Sequence, residues 1–472
     1  MEENLVDKQT LSRCLEILLS AGADYGDIYI ENGRFYNSIS DDRKISSSYH
    51  DQLGAGIRAV KDFSDYYIAC QGITPKELIF AAKTLAGGLK SSPQSAPVSL
   101  KEKETQSQSA PQNELRKVKD ADKIDMLKRA ANTAWEYSGK IKQVTVRYSD
   151  YDREILFTST ADQTILHANL ILIEFLAFVY AGNGNGRQLG WAGKSFCNGW
   201  EAFKGENEPE EMVRRACRQA LVMLDARECP SGEMPVVFAP GPNGVLFHES
   251  CGHGMEADMV QKGSSFAGLL GRKVASEKVT IKDSGIIPGF PGSYLFDDEG
   301  VNAQETTLIE NGSLAGYLHS RITAQQMGVS PTGSGRRQSY KYPPLPRMRN
   351  TYIESGNDDR EEIIRSTKKG LYAADVGFGG QVDVATGRFI TSIILGYLIE
   401  DGKLTYPVRG ATITGIGIEA LRDIDMVGND LVMDPSPGRC GKGQEVPVGV
   451  GMPTLRVKKL VVGGAGSTLK KR

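Results

Sequence analysis

Apolar positions in the first 230 residues run through the same order of elements twice. Leu11, Cys14, Leu15, Leu18 and Leu19 recur at helical intervals and stop at Gly22, which predicts an amphipathic helix ended by glycine. Strand-like runs follow around 26–38, 43–49, 54–60 and 64–71. Thr74 and Pro75 then fit the N-cap and first position of a second helix through Leu78, Ala82 and Leu85. The second round predicts a helix near 120–138, strands near 142–149, 152–159, 164–180 and 187–197, and a helix near 208–226. The recurrence suggests two similar units, although no residue-level repeat accompanies it. Between them, residues 91–113 are rich in Ser, Gln, Pro, Lys and Glu and read as a linker or long loop.

Beyond Glu228 the pattern changes. Short strands alternate with turns such as Glu310-Asn311-Gly312 and Glu400-Asp401-Gly402, and helical periods appear only near 244–260, 321–327, 357–369 and 417–422. Of the 53 glycines, 37 lie in residues 231–472, which points to tight turns and close backbone approaches in that half. The organisation expected is an N-terminal α/β unit (1–90), the linker (91–113), a second α/β unit (114–228) and a β-rich domain (229–472).

Composition narrows the function. The 56 Lys and Arg against 58 Asp and Glu leave a net charge of -2, with no electrostatic footprint for nucleic acid or anionic lipid. The apolar run Leu170–Val179 is about half the length of a membrane span and contains Glu174. The acidic start, Met1-Glu2-Glu3-Asn4, is unlike a secretory signal. Seven cysteines at scattered positions suit reduced thiols in a cytoplasmic compartment.

Two of the five histidines stand close together in His248-Glu249-Ser250-Cys251-Gly252-His253. This H-E-x-x-x-H is one residue longer than the zincin motif. On a regular helix, positions i and i+4 lie about 40° apart around the axis, whereas i and i+5 lie about 140° apart and cannot share a metal. A one-residue π-bulge absorbs the extra residue, with Gly252 and Gly254 supplying backbone latitude. Two look-alikes fail. Gly193-Lys194-Ser195 lacks the first glycine of a phosphate loop, since position 188 is Gln188, and Gly182-Asn183-Gly184-Asn185-Gly186 is better read as a strand connection.

The chain resembles the TldD/PmbA family of metalloproteases, also called modulators of DNA gyrase, in its TldD branch. The resemblance rests on the block 248–258, on Gly333-Ser334-Gly335-Arg336-Arg337, Pro346-Arg347-Met348-Arg349-Asn350-Thr351 and Gly379-Gly380-Gln381-Val382-Asp383, and on Val408–Thr412, Met426–Asp430 and Cys440–Gln444 running on to Thr454. It implies Zn2+ held by His248, His253 and Cys440, with Glu249 as general base. PmbA-type members lack the H-E-x-x-x-H, so its presence implies a competent enzyme. Three protein ligands with one position left for water suit catalytic zinc, and a thiolate beside two imidazoles favours zinc over magnesium or calcium. Arg439 and Lys442 flank Cys440 in a Pro/Gly-rich loop and are expected to favour its thiolate. Glu256 is the rival third ligand, or else the partner that fixes the His253 tautomer; Cys251 lies too near the histidines in sequence to converge with both. His319, Arg336, Arg337 and Tyr340 are candidates by type for substrate contact or oxyanion stabilisation, with a solvated turn as the competing reading of Arg336-Arg337.

The fold expected is α+β: a helix-flanked antiparallel sheet region followed by a Gly-rich, β-rich domain carrying the zinc-binding helix. The function implied is a peptidase for unfolded or flexible polypeptides. The resemblance implies a homodimer or a heterodimer with a PmbA-like chain, and the near-neutral charge leads us to expect no nucleic-acid or membrane partner. The competing functions are a zinc amidase acting on a small molecule and a non-catalytic protein-binding modulator.

Overall fold

The computed structural model describes residues 6–89, 97–103, 115–184, 186–377 and 380–464. The two rounds of the sequence pattern fold into α1 (Lys8–Ser20), β1 (Tyr25–Asp41), β2 (Lys44–Lys61), β3 (Ser64–Cys70) and α2 (Pro75–Gly88), and, after the short β4 (Lys101–Glu102), into α3 (Asp120–Tyr137), β5 (Ile141–Ser159), β6 (Thr164–Asn183), β7 (Gly186–Phe196) and α4 (Pro209–Leu224). All seven strands lie in one sheet. Its main order is β3-β2-β1-β5-β6-β7, with β4 parallel to β6. The two units meet where β1 pairs antiparallel with β5, from Asp27↔Ser159 to Asp41↔Thr145.

Local chemistry explains the helix starts. Asp7 caps α1 by accepting the Thr10 N–H at 2.8 Å, and Thr74 with Glu77 forms a capping box in front of Pro75. Each helix pair covers its own half of the sheet: Leu11, Leu15, Leu18 and Leu78 pack with Ile28 and Ile57, while Leu127, Ala130, Met212 and Ala216 pack with Phe175 and Val179. At Gly190 the sheet touches α4 so closely that a Cβ would sit 2.0 Å from the Ala216 carbonyl oxygen.

Strand lengths differ from expectation in two places. The runs 43–49 and 54–60 are one strand, and so are 142–149 and 152–159. His50, Asp51 and Gln52 break the apolar pattern but stay paired with Phe35, Arg34 and Gly33, because side-chain polarity on a solvated face does not interrupt the backbone ladder. Within the expected linker, residues 91–96 and 104–113 lie outside the described residues. Between them, Val98 and Leu100 are buried, and Lys101–Glu102 pairs with Thr164 and Ile165.

The C-terminal domain has two β layers. Strands Gly232–Phe238, Lys369–Val376, Arg388–Glu400, Thr412–Ile416 and Leu455–Gly463 pair in a closed ring. A six-stranded sheet runs Ser313–Leu314, Glu305–Glu310, Ile281–Ser284, Asn350–Ile353, Glu445–Met452 and Val432–Gly441. Asn311-Gly312 and Asp401-Gly402 make the expected turns, with φ of 46° and 81° and of 49° and 72°. The residues of the H-E-x-x-x-H lie between the two layers. A Cβ on Gly244 would sit 2.8 Å from Gly451 O of the open sheet, and one on Gly417, beside the ring, 2.4 Å from Ser250 O. The architecture is α+β, as expected. No helix among the described residues is long and apolar enough to cross a membrane.

Charge is buried where the two halves meet. Arg58 of β2 is fully buried and bonds Asp27 at 2.7 Å and, across the junction, Glu299 at 2.6 Å.

Candidate metal centre

The segment bearing the two histidines changes its winding within a few residues. Val245–Phe247 is α-helical, His248–Gly252 is a π turn, and His253–Met255 is 3-10. The His253 N–H bonds the carbonyl of His248, five residues back, so the surplus residue is taken up as the i+5 spacing requires. The glycines act otherwise than expected. Gly252 keeps ordinary right-handed angles (φ -55°, ψ -51°), and its role is space, because a Cβ there would sit 2.1 Å from Met348 Sδ. A Cβ on Gly254 would likewise press on Phe266 at 2.8 Å. The helical period ends at Glu256, which is extended (φ -74°, ψ 126°), before Ala257–Gln261 resumes as helix.

This winding brings His248 and His253 to Cys440. One donor atom from each lies within 4.8 Å of the others, and all three residues are buried. Cys440 Sγ is 3.5 Å from His253 Nε2, and the imidazole rings stand 5.5 Å apart at 83°. Zinc bonds of about 2.0 Å to nitrogen and about 2.3 Å to sulfur at the tetrahedral angle separate N from S by about 3.5 Å, so this edge already has the size zinc demands. Neither ring nitrogen of His248 has a hydrogen-bond partner among the described residues, a costly state for a buried imidazole unless something else occupies it. The donor set therefore fits a zinc ion.

Cys440 lies in the strand Val432–Gly441, paired with Val446, rather than in a loop. The flanking cations are committed elsewhere: Arg439 bonds Glu174 at 2.7 Å, while Lys442 bonds Glu256 at 3.0 Å and Asp258 at 2.8 Å. Burial pushes the Cys440 thiol up, but the imidazoles of His253 and His248 outweigh it and hold the thiol well below its ordinary range. The expected cause, Arg439 and Lys442, is replaced by the histidines.

Glu256 is fully buried, with Oε2 3.0 Å from His253 Nδ1. Burial raises its pKa, and His253 together with Lys442 reverses that to about 2. A carboxylate on the far nitrogen fixes the tautomer and leaves Nε2 facing Cys440. Glu256 thus stands behind His253, outside the group of converging donor atoms. Cys251 is buried next to Ser250, its thiol pushed up to about 12 by burial, and is not part of that group either.

Glu249 is the partly open member of the motif, with 31% of its side chain exposed and Oε2 3.8 Å from His253 Nε2. With His248 it lines a cavity of about 60 Å³. His319, Arg336, Arg337 and Tyr340 are not among the described residues lining that cavity. Arg336 and Arg337 are buried rather than forming a solvated turn. The Arg336 guanidinium donates to Met348 O at 2.6 Å and Pro447 O at 2.7 Å, and Arg337 donates to Asp298 O at 2.8 Å and Tyr67 Oη at 3.2 Å. Tyr340 gives its N–H to Glu31 of β1 at 2.9 Å. The His319 ring is buried beside Tyr317, 6.3 Å between centroids. Gly379 lies outside the described residues.

Arg347 escaped notice in the sequence although it sits in the Pro346–Thr351 block. It donates to the carbonyls of Cys440 and Gln444 and lies 3.8 Å from Glu256, tying the thiol's strand to the histidine's carboxylate. Trp191, which lines the cavity beside Glu249, had no sequence signal, since it comes from β7 in the other half of the chain.

Residues 231–464 match a family profile described as the PmbA/TldA metallopeptidase C-terminal domain, and residues 113–224 one described as the PmbA/TldA metallopeptidase central domain. A protein of Haemophilus influenzae named metalloprotease TldD homolog is 37% identical over 465 residues, covering 97% of this chain and 96% of its own. One of the same name from Buchnera aphidicola subsp. Acyrthosiphon pisum is 34% identical over 473 residues, 98% of each chain. Among solved structures, one from Thermotoga maritima, named as a candidate modulator of a DNA gyrase, superposes with a TM-score of 0.78 at 23% identity, covering 97% of this chain and 100% of its own. TldE from Thermococcus kodakarensis gives 0.75 at 19%, covering 96% and 100%. At such identities these two speak for the fold alone.

Proposed function

This chain belongs to the PmbA/TldD metallopeptidase family, and from that premise we propose that it is a zinc peptidase cutting unfolded or extended polypeptides, with His248, His253 and Cys440 as ligands and Glu249 as general base. The observation that carries the reading is the convergence of two imidazoles and one thiol on a buried point, with a half-open carboxylate on the same turn.

Zinc, when bound, lowers the pKa of the attacking water and polarises the scissile carbonyl. The chain's own residues supply the rest. Glu249 follows a ligand directly and faces the cavity, so its carboxylate takes the proton from the water and hands it to the leaving amine. Glu256 holds the proton on His253 Nδ1, and Lys442 offsets the charge that Glu256 brings into the interior. Arg347 anchors the Cys440 strand through backbone carbonyls, so the thiol keeps its place while substrates come and go.

The strand carrying Cys440 is the outermost of its sheet, which suits recognition of a peptide by its main chain. Pro435 and Pro437 on that strand cannot donate a hydrogen bond, so backbone pairing is confined to their neighbours. A site secluded between two chains would admit flexible peptides and refuse folded ones. The assembly proposed is a homodimer, or a heterodimer with a PmbA-like chain, joined through the C-terminal domain, and light scattering at micromolar concentration tests it.

The deciding experiment for the chemistry is Glu249→Gln. It keeps its zinc and loses about 10²- to 10⁴-fold in turnover of denatured peptide substrates. Turnover equal to that of the unaltered chain would assign the base elsewhere.

A further inference from the structure

The cavity beside Glu249 and His248 differs from the rest of the site in its chemistry. Most of its wall is apolar, from Trp191, Pro242, Val245, Val376, Val448 and Val450, and the Ser436 hydroxyl on it is already donated to Asp434. The charged lining residues are Glu249 and Arg439, and Arg439 is neutralised by Glu174 at 2.7 Å. A volume of about 60 Å³ holds roughly four waters at about 15 Å³ each, and four waters take up about 120 Å³ in the liquid. That space suits a leucine- or phenylalanine-sized side chain. Water in such a pocket has few polar partners and is readily displaced by an apolar group.

The pocket's shape is held from outside. Trp191 lies on β7 of the N-terminal sheet, and its backbone N–H donates to Gln219 Oε1 of α4 at 2.8 Å. Gln219 Nε2 donates in turn to Asp375 Oδ2 at 2.9 Å, and Asp375 precedes the wall residue Val376. One buried amide therefore spaces a wall from the N-terminal half against a wall from the C-terminal half.

We propose that this cavity is the specificity pocket of the peptidase, taking a large apolar side chain from a residue flanking the scissile bond, with Trp191 and Val376 as its size-determining walls. The assignment rests on the peptidase reading of the same site. It makes selectivity a property of both halves of the chain, since the metal-binding half alone lacks the tryptophan wall.

The test uses the zinc-loaded, full-length assembly and a set of unstructured peptides that differ at one position (Leu, Phe, Gly, Asp or Lys), with cleavage sites read by mass spectrometry. Leu and Phe beside the cut bond should exceed Asp and Lys by about 10- to 100-fold in kcat/KM. Val376→Phe, which fills the pocket, should lower the Leu-to-Gly ratio at least fivefold, and Trp191→Ala, which opens it, should raise the Phe-to-Leu ratio. Binding of the same peptides to Glu249→Gln, followed by tryptophan fluorescence, gives a readout without turnover and should show the same order. If both wall variants fail to fold, the unaltered chain's profile and the Glu249→Gln binding order decide. A flat profile, or unchanged ratios in folded wall variants, would overturn the pocket and leave the peptidase standing. Apolar-selective binding with no cleavage of any peptide would overturn the peptidase and leave the pocket standing.

Discussion

The two halves of the chain use buried polar groups for different ends. In the N-terminal sheet, long strands meet in nearly continuous ladders and the helices seal apolar faces, so its interior is mostly leucine, alanine, valine and isoleucine. In the C-terminal domain, elements of two to five residues carry His248 and His253 beside the longer strand that carries Cys440, and Arg336, Arg337, Arg347 and Arg349 are all fully buried. Most of these guanidiniums reach main-chain carbonyls: Met348, Pro447, Asp298, Cys440 and Gln444. The lesson is physical. A regular element satisfies its own backbone, whereas a site built partly from short turns also draws on side chains, and Arg347 and Glu256 hold Cys440 and His253 in this way.

The contrast can be broken most forcefully at the junction. Arg58→Met removes the buried cation from Glu299 and leaves Asp27 with Arg337 at 3.5 Å, and should cost about 3–5 kcal/mol in chemical denaturation. A loss below about 1 kcal/mol would mean that the other contacts between the halves compensate for Arg58.

A second, smaller effect depends on pH. Asp375 is buried, which raises its carboxyl from 3.8 to about 7 against the Gln219 hydrogen bond that lowers it. The folded chain therefore keeps a proton that the unfolded chain has already lost, so this group's contribution to stability falls as pH rises from about 4 to about 7 and is constant above that. Asp375→Asn should match the unaltered chain near pH 4 and exceed it by a few kcal/mol, on the order of the shift, at pH 8. Melting curves at the two pH values read it, and an equal difference at both would refute the shift.

The smallest effect belongs to the regular half. Thr74→Ala removes the cap of α2 and should cost about 1 kcal/mol in denaturation, with zinc content unchanged. Zinc loss in that variant would mean that the α2 cap supports the candidate metal centre as well as its own helix.

The same contrast explains what could be read in the sequence. Periodic helices with their caps, and the Asn311-Gly312 and Asp401-Gly402 turns, are local matters and were legible to within a few residues. So was the π turn, since two histidines five apart that converge on one point admit few windings. Strand continuity through His50–Gln52 was not, because the partner strand that holds those residues is invisible from within. The placement of Cys440 on a strand, the commitment of Arg439 and Lys442 to carboxylates and the burial of Arg336 and Arg337 depend on contacts between residues far apart in the chain. Trp191 illustrates this most fully: a residue in β7 walls a pocket whose other members lie beyond residue 241.

Everything proposed for this site depends on His248, His253 and Cys440 holding one zinc. Elemental analysis of the purified chain, of Cys440→Ser and of Glu256→Gln tests it directly. One zinc per chain is expected in the unaltered protein, most of it lost in Cys440→Ser, and retention with about 10- to 100-fold weaker affinity in Glu256→Gln. Full zinc occupancy in Cys440→Ser, with Glu256→Gln emptied instead, would contradict it.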